Sequence, residues 1–309
     1  MHIPQAHKKS KYFFNKIMEL RAPSARIFDY RVYPIINYYE VEDLINTLLG
    51  AIKFYPRIKL RKFMKLLNNK VAIVTGSSRG IGAQIALTLA EAGASVVINY
   101  SSNQTPADKV VSDIKANGGN AIAIKADITN PGEVKLMFDS AINQFGKIDI
   151  LINNAGSILY KTIQDTTDDD FDQIFSVNVK GTFNTLREAA SRLENDGRIV
   201  NFSSSTTRLM LPTYGAYCAT KGAVEQLTRV FSKEVGARNI TVNSISPGPT
   251  NTELFTKGKS QEVINRLAGM AALGRIGEPI DIARIVLFLV GEEASWVTGQ
   301  NIGANGGFA

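Results

Sequence analysis

The sequence is poor in residues that build covalent or metal-bound scaffolds. Its 309 residues include one cysteine, Cys218, which excludes an intramolecular disulfide and a multi-cysteine zinc site. There are two histidines, His2 and His7, both near the N-terminus. Residues 1–63 contain no apolar stretch approaching the roughly 20 residues that span a bilayer. They also lack the basic segment followed by a continuous apolar region that marks a secretory signal. A cytoplasmic protein is the expectation. The chain is otherwise 44% hydrophobic and 20% charged, which excludes disorder throughout. Its length suits one large α/β domain of roughly 250 residues with an appendage.

The formal charge of +7 points toward nucleic acid or membrane surfaces until it is located. Residues 1–63 hold 12 Lys+Arg against 5 Asp+Glu, which leaves 23 of each in 64–309. The larger part is therefore formally neutral, and neither nucleic acid nor membrane is expected as its partner. Residues 1–63 also hold 11 of the 26 aromatics. They read as a distinct basic, aromatic-rich N-terminal extension, with 64–309 as the main domain. Residues 41–63 can form an amphipathic helix that docks on the domain, a partner or an anionic surface. In the competing reading, Met64 to Val71 is an ordinary chain start and the extension is a dispensable leader.

From about Lys70, short apolar β-branched runs alternate with helical stretches. The runs are VAIVTG (71–76), SVVINY (95–100), AIAIKAD (121–127), IDILINNAG (148–156), RIVNFSS (198–204) and TVNSISPG (241–248), with a last strand near the C-terminus. Continuous apolar strands separated by helices indicate a parallel sheet covered on both faces. Such a doubly wound α/β fold binds ligands at the carboxyl ends of its strands.

The first strand runs through Thr75-Gly76-Ser77-Ser78-Arg79-Gly80-Ile81-Gly82 into a helix. Gly76 permits the tight turn, Gly80 lets backbone approach a pyrophosphate, and Gly82 lets helix and strand pack closely. Phosphates would meet free N–H groups at the helix start. An acid ending the second strand would hydrogen-bond a ribose 2′-OH and repel a 2′-phosphate. Tyr100 stands there instead, followed by Ser101. Arg79 supplies a cation for that phosphate. Tyr217 and Lys221 are four residues apart and share a helix face. A nearby ammonium favours the phenolate, so a Tyr217 pKa lowered toward neutrality is expected, suiting proton transfer. Cys218, beside Tyr217, points elsewhere and reads as a packing residue.

TGSSRGIG (75–82), NNAG (153–156), Ser204, Tyr217-Cys-Ala-Thr-Lys221 and Pro247-Gly248 occur in the order and spacing of the short-chain dehydrogenase/reductase family. From about Leu66 to the C-terminus the chain resembles that family, especially its 3-oxoacyl-acyl-carrier-protein reductase-like members. The resemblance implies a single Rossmann domain with a seven-stranded parallel sheet and helices on both faces. It also implies an NADP(H) preference with NAD(H) still accepted, a small carbonyl or alcohol substrate, and a homotetramer or homodimer. Asp127 and Ile128 would hold the adenine ring. Asn154, Ala155 and Gly156 would line the ribose pocket, with Tyr217 and Lys221 also touching the cofactor. Pro247, Gly248 and Thr250 would meet the nicotinamide and Thr252 the phosphate.

By the same resemblance, Ser204 orients the substrate carbonyl, selected over Ser203 and Ser205 by its thirteen-residue separation from Tyr217. Asn178 holds a water linking Lys221 to solvent; its alternative reading is a buried asparagine capping backbone. With Tyr217 as general acid/base, the activity implied is NADPH-dependent reduction of a ketone or aldehyde, including 3-oxoacyl thioesters. The alternatives are an alcohol or sugar dehydrogenase working oxidatively, and a non-catalytic NADP-binding regulator. A lid is expected over 253–279, where Leu267, Met270 and Leu273 suit an apolar substrate or core packing. Lys257 and Lys259 read as a solvated turn or as contacts for an acidic carrier protein.

Overall fold

The structure, a computed structural model, describes residues 66–309. The readings of residues 1–63, and the boundary at 64, lie outside the described residues.

The apolar runs form seven strands: β1 (Val71–Val74), β2 (Ser95–Tyr100), β3 (Asn120–Lys125), β4 (Ile150–Asn153), β5 (Arg198–Phe202), β6 (Thr241–Pro247) and β7 (Asn301–Ala304). They make one sheet in the order β3-β2-β1-β4-β5-β6-β7. Every neighbouring pair is parallel. Strand order reverses between β1 and β4, where a doubly wound sheet opens a crevice beyond its carboxyl ends.

Successive side chains on a strand point to opposite faces, so β1 contributes to two cores. Ala72 and Val74 join one cluster with Ile85 and Leu89 of α1 (Gly80–Glu91), Val110 of α2 (Gln104–Ala116) and Val286 of the C-terminal helix Pro279–Val290. Ile73 faces the other, with Phe138 of α3 (Pro131–Phe145), Leu186 from the helix Gly181–Arg192 and Phe231 from the helix Gly215–Glu234. All four β1 residues are buried, which explains why the run lacks polar alternation. Burying each Val or Ile contributes on the order of 1.5–3 kcal/mol.

The remaining helices are α4 (Asp168–Phe175), α5 (Gly181–Arg192), α6 (Thr206–Leu209), α7 (Gly215–Glu234), α8 (Glu253–Thr256), α9 (Gln261–Met270) and α10 (Pro279–Val290). The helix starts differ in their caps. Asn103, Asn130, Thr167 and Ser260 accept from first-turn N–H groups and cap α2, α3, α4 and α9. Helix α1 has no side-chain cap and no acid in its first turn. Its leading N–H groups and the positive end of its dipole remain available to an anion.

Candidate active site

The crevice is a groove of about 870 Å³ along the carboxyl ends of the strands. At one end, Thr75 and Asn99 fix the glycine loop. The Thr75 hydroxyl accepts from Asn154 N and Ala155 N, both at 3.0 Å, and donates to Ile152 O. Asn99 Oδ1 accepts from Gly76 N at 3.1 Å, while its Nδ2 donates to Ala126 O at 3.0 Å. Gly76 has φ +60, and a Cβ there would lie 2.9 Å from Ala155 Cα. A Cβ on Gly82 would lie 2.5 Å from both Asn154 Nδ2 and Gly76 O. Glycine is therefore required at both positions by space, and at Gly76 also by conformation.

Every residue expected to touch the cofactor, from Gly76 to Thr252, lines this groove. Three are placed with an unexpected emphasis. Arg79 is largely exposed and leans toward the Glu253 carboxylate at 3.7 Å. The Tyr100 side chain is buried in the cluster around α2. Asp127 Oδ1 already accepts from Thr129 N at 2.9 Å. The groove fits a dinucleotide through the uncapped start of α1, the cleared space above Gly76 and Gly82, and the Arg79 cation.

Beyond the glycine loop the groove is walled by Tyr217 and Lys221 on α7 and by Ser204 after β5. The neighbouring serines are committed elsewhere: Ser203 Oγ donates to Glu225 Oε1 at 2.7 Å and Ser205 Oγ to Ser246 O at 3.1 Å. Ser204 Oγ accepts from Thr206 Oγ1 at 2.9 Å and is a hydrogen-bond partner of the Tyr217 phenol.

The electrostatics differ from the sequence expectation. Burial pushes the Tyr217 phenol up to about 12, and Ser204 only partly opposes this. Lys221 does not lower it, because its Nζ donates to Phe202 O at 2.9 Å and stands 5.7 Å from the Tyr217 ring centroid. Burial pulls the Lys221 ammonium down to about 8. The i, i+4 spacing does put both groups on one face, but loss of water outweighs their attraction.

Asn178 lies behind the wall, 1% exposed, in a π-helical turn (Ser176–Lys180) between α4 and α5. Its Oδ1 accepts from Ser157 N at 2.8 Å, and its Nδ2 donates to Ser157 O and Thr220 Oγ1, each at 3.0 Å. A Cβ on Gly156 would fall 3.1 Å from Asn178 Oδ1 and 3.5 Å from Lys221 Nζ, so these groups surround one small space. Cys218 Sγ donates to Thr206 O at 3.3 Å, in keeping with packing.

The lid end was less legible. Leu267 of α9 lines the groove, whereas Met270 and Leu273 are exposed and do not. Lys259 is not a solvated turn residue: its ammonium lies 4.8 Å from the Tyr160 ring centroid and 4.7 Å from that of Phe255, and burial lowers its pKa. Tyr160, Tyr214 and Phe255, all absent from the expected site, line the groove. Aromatic residues on three segments far apart in sequence carry no periodic signal.

A doubly wound sheet whose switch-point groove joins a glycine-rich turn, an open helix start and a Ser-Tyr-Lys group defines a nucleotide-dependent oxidoreductase. A family model described as Enoyl-(Acyl carrier protein) reductase matches residues 76–309. The chain is 44% identical over 256 residues to an NADPH-dependent aldehyde reductase-like protein, chloroplastic, of Arabidopsis thaliana, covering 78% of this chain and 95% of that one. It is 44% identical over 251 residues to a short-chain type dehydrogenase/reductase of Picea abies, covering 78% and 93%. The crystal structure of an angucycline C-6 ketoreductase with bound NADP is similar, with 38% identity and a TM-score of 0.75 over 79% of this chain and 96% of that one. The chain belongs to the short-chain dehydrogenase/reductase family.

Proposed function

We propose that residues 64–309 form an NADPH-dependent carbonyl reductase acting on a ketone or aldehyde. The observation that carries this reading is a single groove with an anion-ready helix start at one end and the proton-bearing Tyr217–Ser204 pair further along it. The NADPH-dependent aldehyde reductase-like relative and the NADP-bound ketoreductase support both the cofactor and the reductive direction.

The first turn of α1, Arg79 and Thr252 would hold the phosphates, Gly156 would line the ribose pocket, and Tyr217, Lys221 and Thr250 would hold the nicotinamide half. Asp127 and Ile128 would flank the adenine. When bound, NADPH supplies the hydride for the carbonyl carbon. Ser204 holds the carbonyl oxygen by its hydroxyl and stabilises negative charge as it develops. Tyr217 then gives its proton to that oxygen. A phenol near 12 is protonated at neutral pH and remains more acidic than an ordinary alcohol, so it can give its proton to the alkoxide. Retention of the whole Ser204–Tyr217–Lys221 group argues against a non-catalytic regulator. Lys221 ties α7 to Phe202 O beside the phenol, and Asn178 positions Gly156–Ser157 and would hold the water that links Lys221 to solvent.

The fully exposed Trp296 (98%) and half-exposed Phe288 are suited to a subunit interface, and we infer a cytoplasmic homotetramer or homodimer. Light scattering at micromolar concentration tests this; a monomer refutes it. The activity is tested by NADPH consumption across acyl thioesters, ketones, aldehydes and sugars. Turnover is expected with at least one carbonyl class, and turnover only in the alcohol-to-carbonyl direction contradicts the assignment.

A further inference from the structure

Three residues far apart in sequence meet at the lid end of the groove. Lys259, between α8 and α9, places its Nζ 3.2 Å from Tyr160 Oη and also donates to Phe255 O at 2.6 Å. Tyr160 follows β4, and its ring packs edge-on against Tyr214 with centroids 5.1 Å apart. Tyr214 in turn stands 6.1 Å from Tyr217. The two tyrosine loops are tied directly, since Lys161 N donates to Thr213 O at 3.0 Å. Thr213 holds this arrangement at φ +71, a costly conformation for a β-branched residue.

The hydrogen-bond directions give this cluster a purpose. A lysine has only donors, so Tyr160 Oη accepts from Lys259. That bond leaves the Tyr160 O–H to donate, and Tyr160 lines the groove. Charge at this end is positive. Lys257 lines the groove and Lys259 stands behind Tyr160, while Lys161 is neutralised by Asp170. Among the described residues, the carboxylates lining the groove are Asp127 and Glu253, and the latter faces Arg79 at the glycine-loop end.

We propose that Tyr160, backed by Lys259 and Tyr214, is a substrate subsite for a carboxylate set about one aromatic ring away from the carbonyl that Tyr217 protonates. The proposal rests on the reductase reading and narrows its substrate class to carbonyl compounds that carry an acid. Tyr160 donates to the carboxylate; Lys259 acts through Tyr160 and is a positioning residue. The aromatic walls of Tyr160, Tyr214 and Phe255 enclose the intervening apolar body.

The test compares 4-carboxybenzaldehyde with its neutral methyl ester, methyl 4-formylbenzoate, on the full chain. Both kcat/KM with NADPH and affinity by titration calorimetry are measured. The wild-type protein is expected to favour the acid by about tenfold, the size of one charge-assisted hydrogen bond. Tyr160→Phe and Lys259→Met should reduce that preference to within about twofold, chiefly through KM, and Lys259→Arg should retain most of it. A lid that merely folds badly lowers both substrates together and leaves the ratio intact, which would overturn the proposal. Equal preference in wild type and Lys259→Met, or no binding of the acid, would also overturn it. Reduction of neither compound, with the acid still bound selectively, would count against the reductase reading alone.

Discussion

At the glycine-loop end of the groove the shape is set by hydrogen-bonded, largely buried atoms: Thr75, Asn99 and Asn154 bond the backbone around the loop, and Gly82 sits where no Cβ fits. At the lid end the shape is set by Tyr160, Phe255 and Lys259, all partly exposed and held by ring contacts and one ammonium. A buried hydrogen-bonded cradle suits a ligand that is the same in every turnover. A half-exposed aromatic clamp can change composition without disturbing the sheet beneath it. The contrast separates the part of the groove that serves a common cofactor from the part that chooses a substrate.

The comparison can be broken most severely at Gly82. Gly82→Val drives side-chain carbon into Gly76 O and Asn154, and overpacking there should cost about 1–3 kcal/mol or more and abolish NADPH binding. Fluorescence titration together with a thermal melt reads both; retained affinity would show that the loop is not rigid.

Lys221→Met comes next, with an expected loss of about 10²–10³ in kcat because the buried donor that ties α7 to Phe202 O beside the reacting groups disappears and their placement is lost. It has a stability signature as well. Burial holds Lys221 near 8 instead of 10.5, so between those values the unfolded chain binds the extra proton and stability rises with pH. Below about 8 the cost of burying the charge is fully present. Tyr217 acts oppositely: its folded phenol keeps a proton up to about 12, so its contribution is complete below about 10 and is lost as pH climbs through 12. Urea unfolding of wild type minus Lys221→Met should therefore show wild type gaining between pH 8 and 10.5. A flat difference would contradict the buried, destabilised ammonium.

Arg79→Ala should reduce the preference for NADPH over NADH by about tenfold, read as a kcat/KM ratio. Its exposure and the competing Glu253 keep this effect moderate, and Glu253→Gln should shift the ratio slightly the other way. Cys218→Ala should leave kcat within about twofold, since Sγ only donates weakly to Thr206 O. A large loss in steady-state rate would move Cys218 from packing into the chemistry.

The sheet and the glycine loop were legible because their causes are local. Four consecutive apolar residues such as Val71–Val74 need cover on both faces, and Gly76, Gly80 and Gly82 follow directly. Spacing likewise paired Tyr217 with Lys221, and the family resemblance picked Ser204 from its neighbours. It did not give the direction of the Lys221 side chain, which turns to Phe202 O, and so it gave the wrong sign for the Tyr217 pKa. Asn99 was hidden for another reason: a lone polar residue within SVVINY reads as a strand end until its loop bonds are seen. The clamp of Tyr160, Tyr214 and Lys259 depends on contacts between distant loops, and no pattern along the chain encodes those.

The central claim, that Tyr217 supplies the proton in a carbonyl reduction, is tested most directly by Tyr217→Phe. The measurement is single-turnover NADPH oxidation at saturating carbonyl substrate, with NADPH affinity measured in parallel. The account predicts a fall of about 10²–10⁴ in the chemical step with cofactor affinity changed by only a few-fold. A variant that keeps most of the wild-type rate would contradict it.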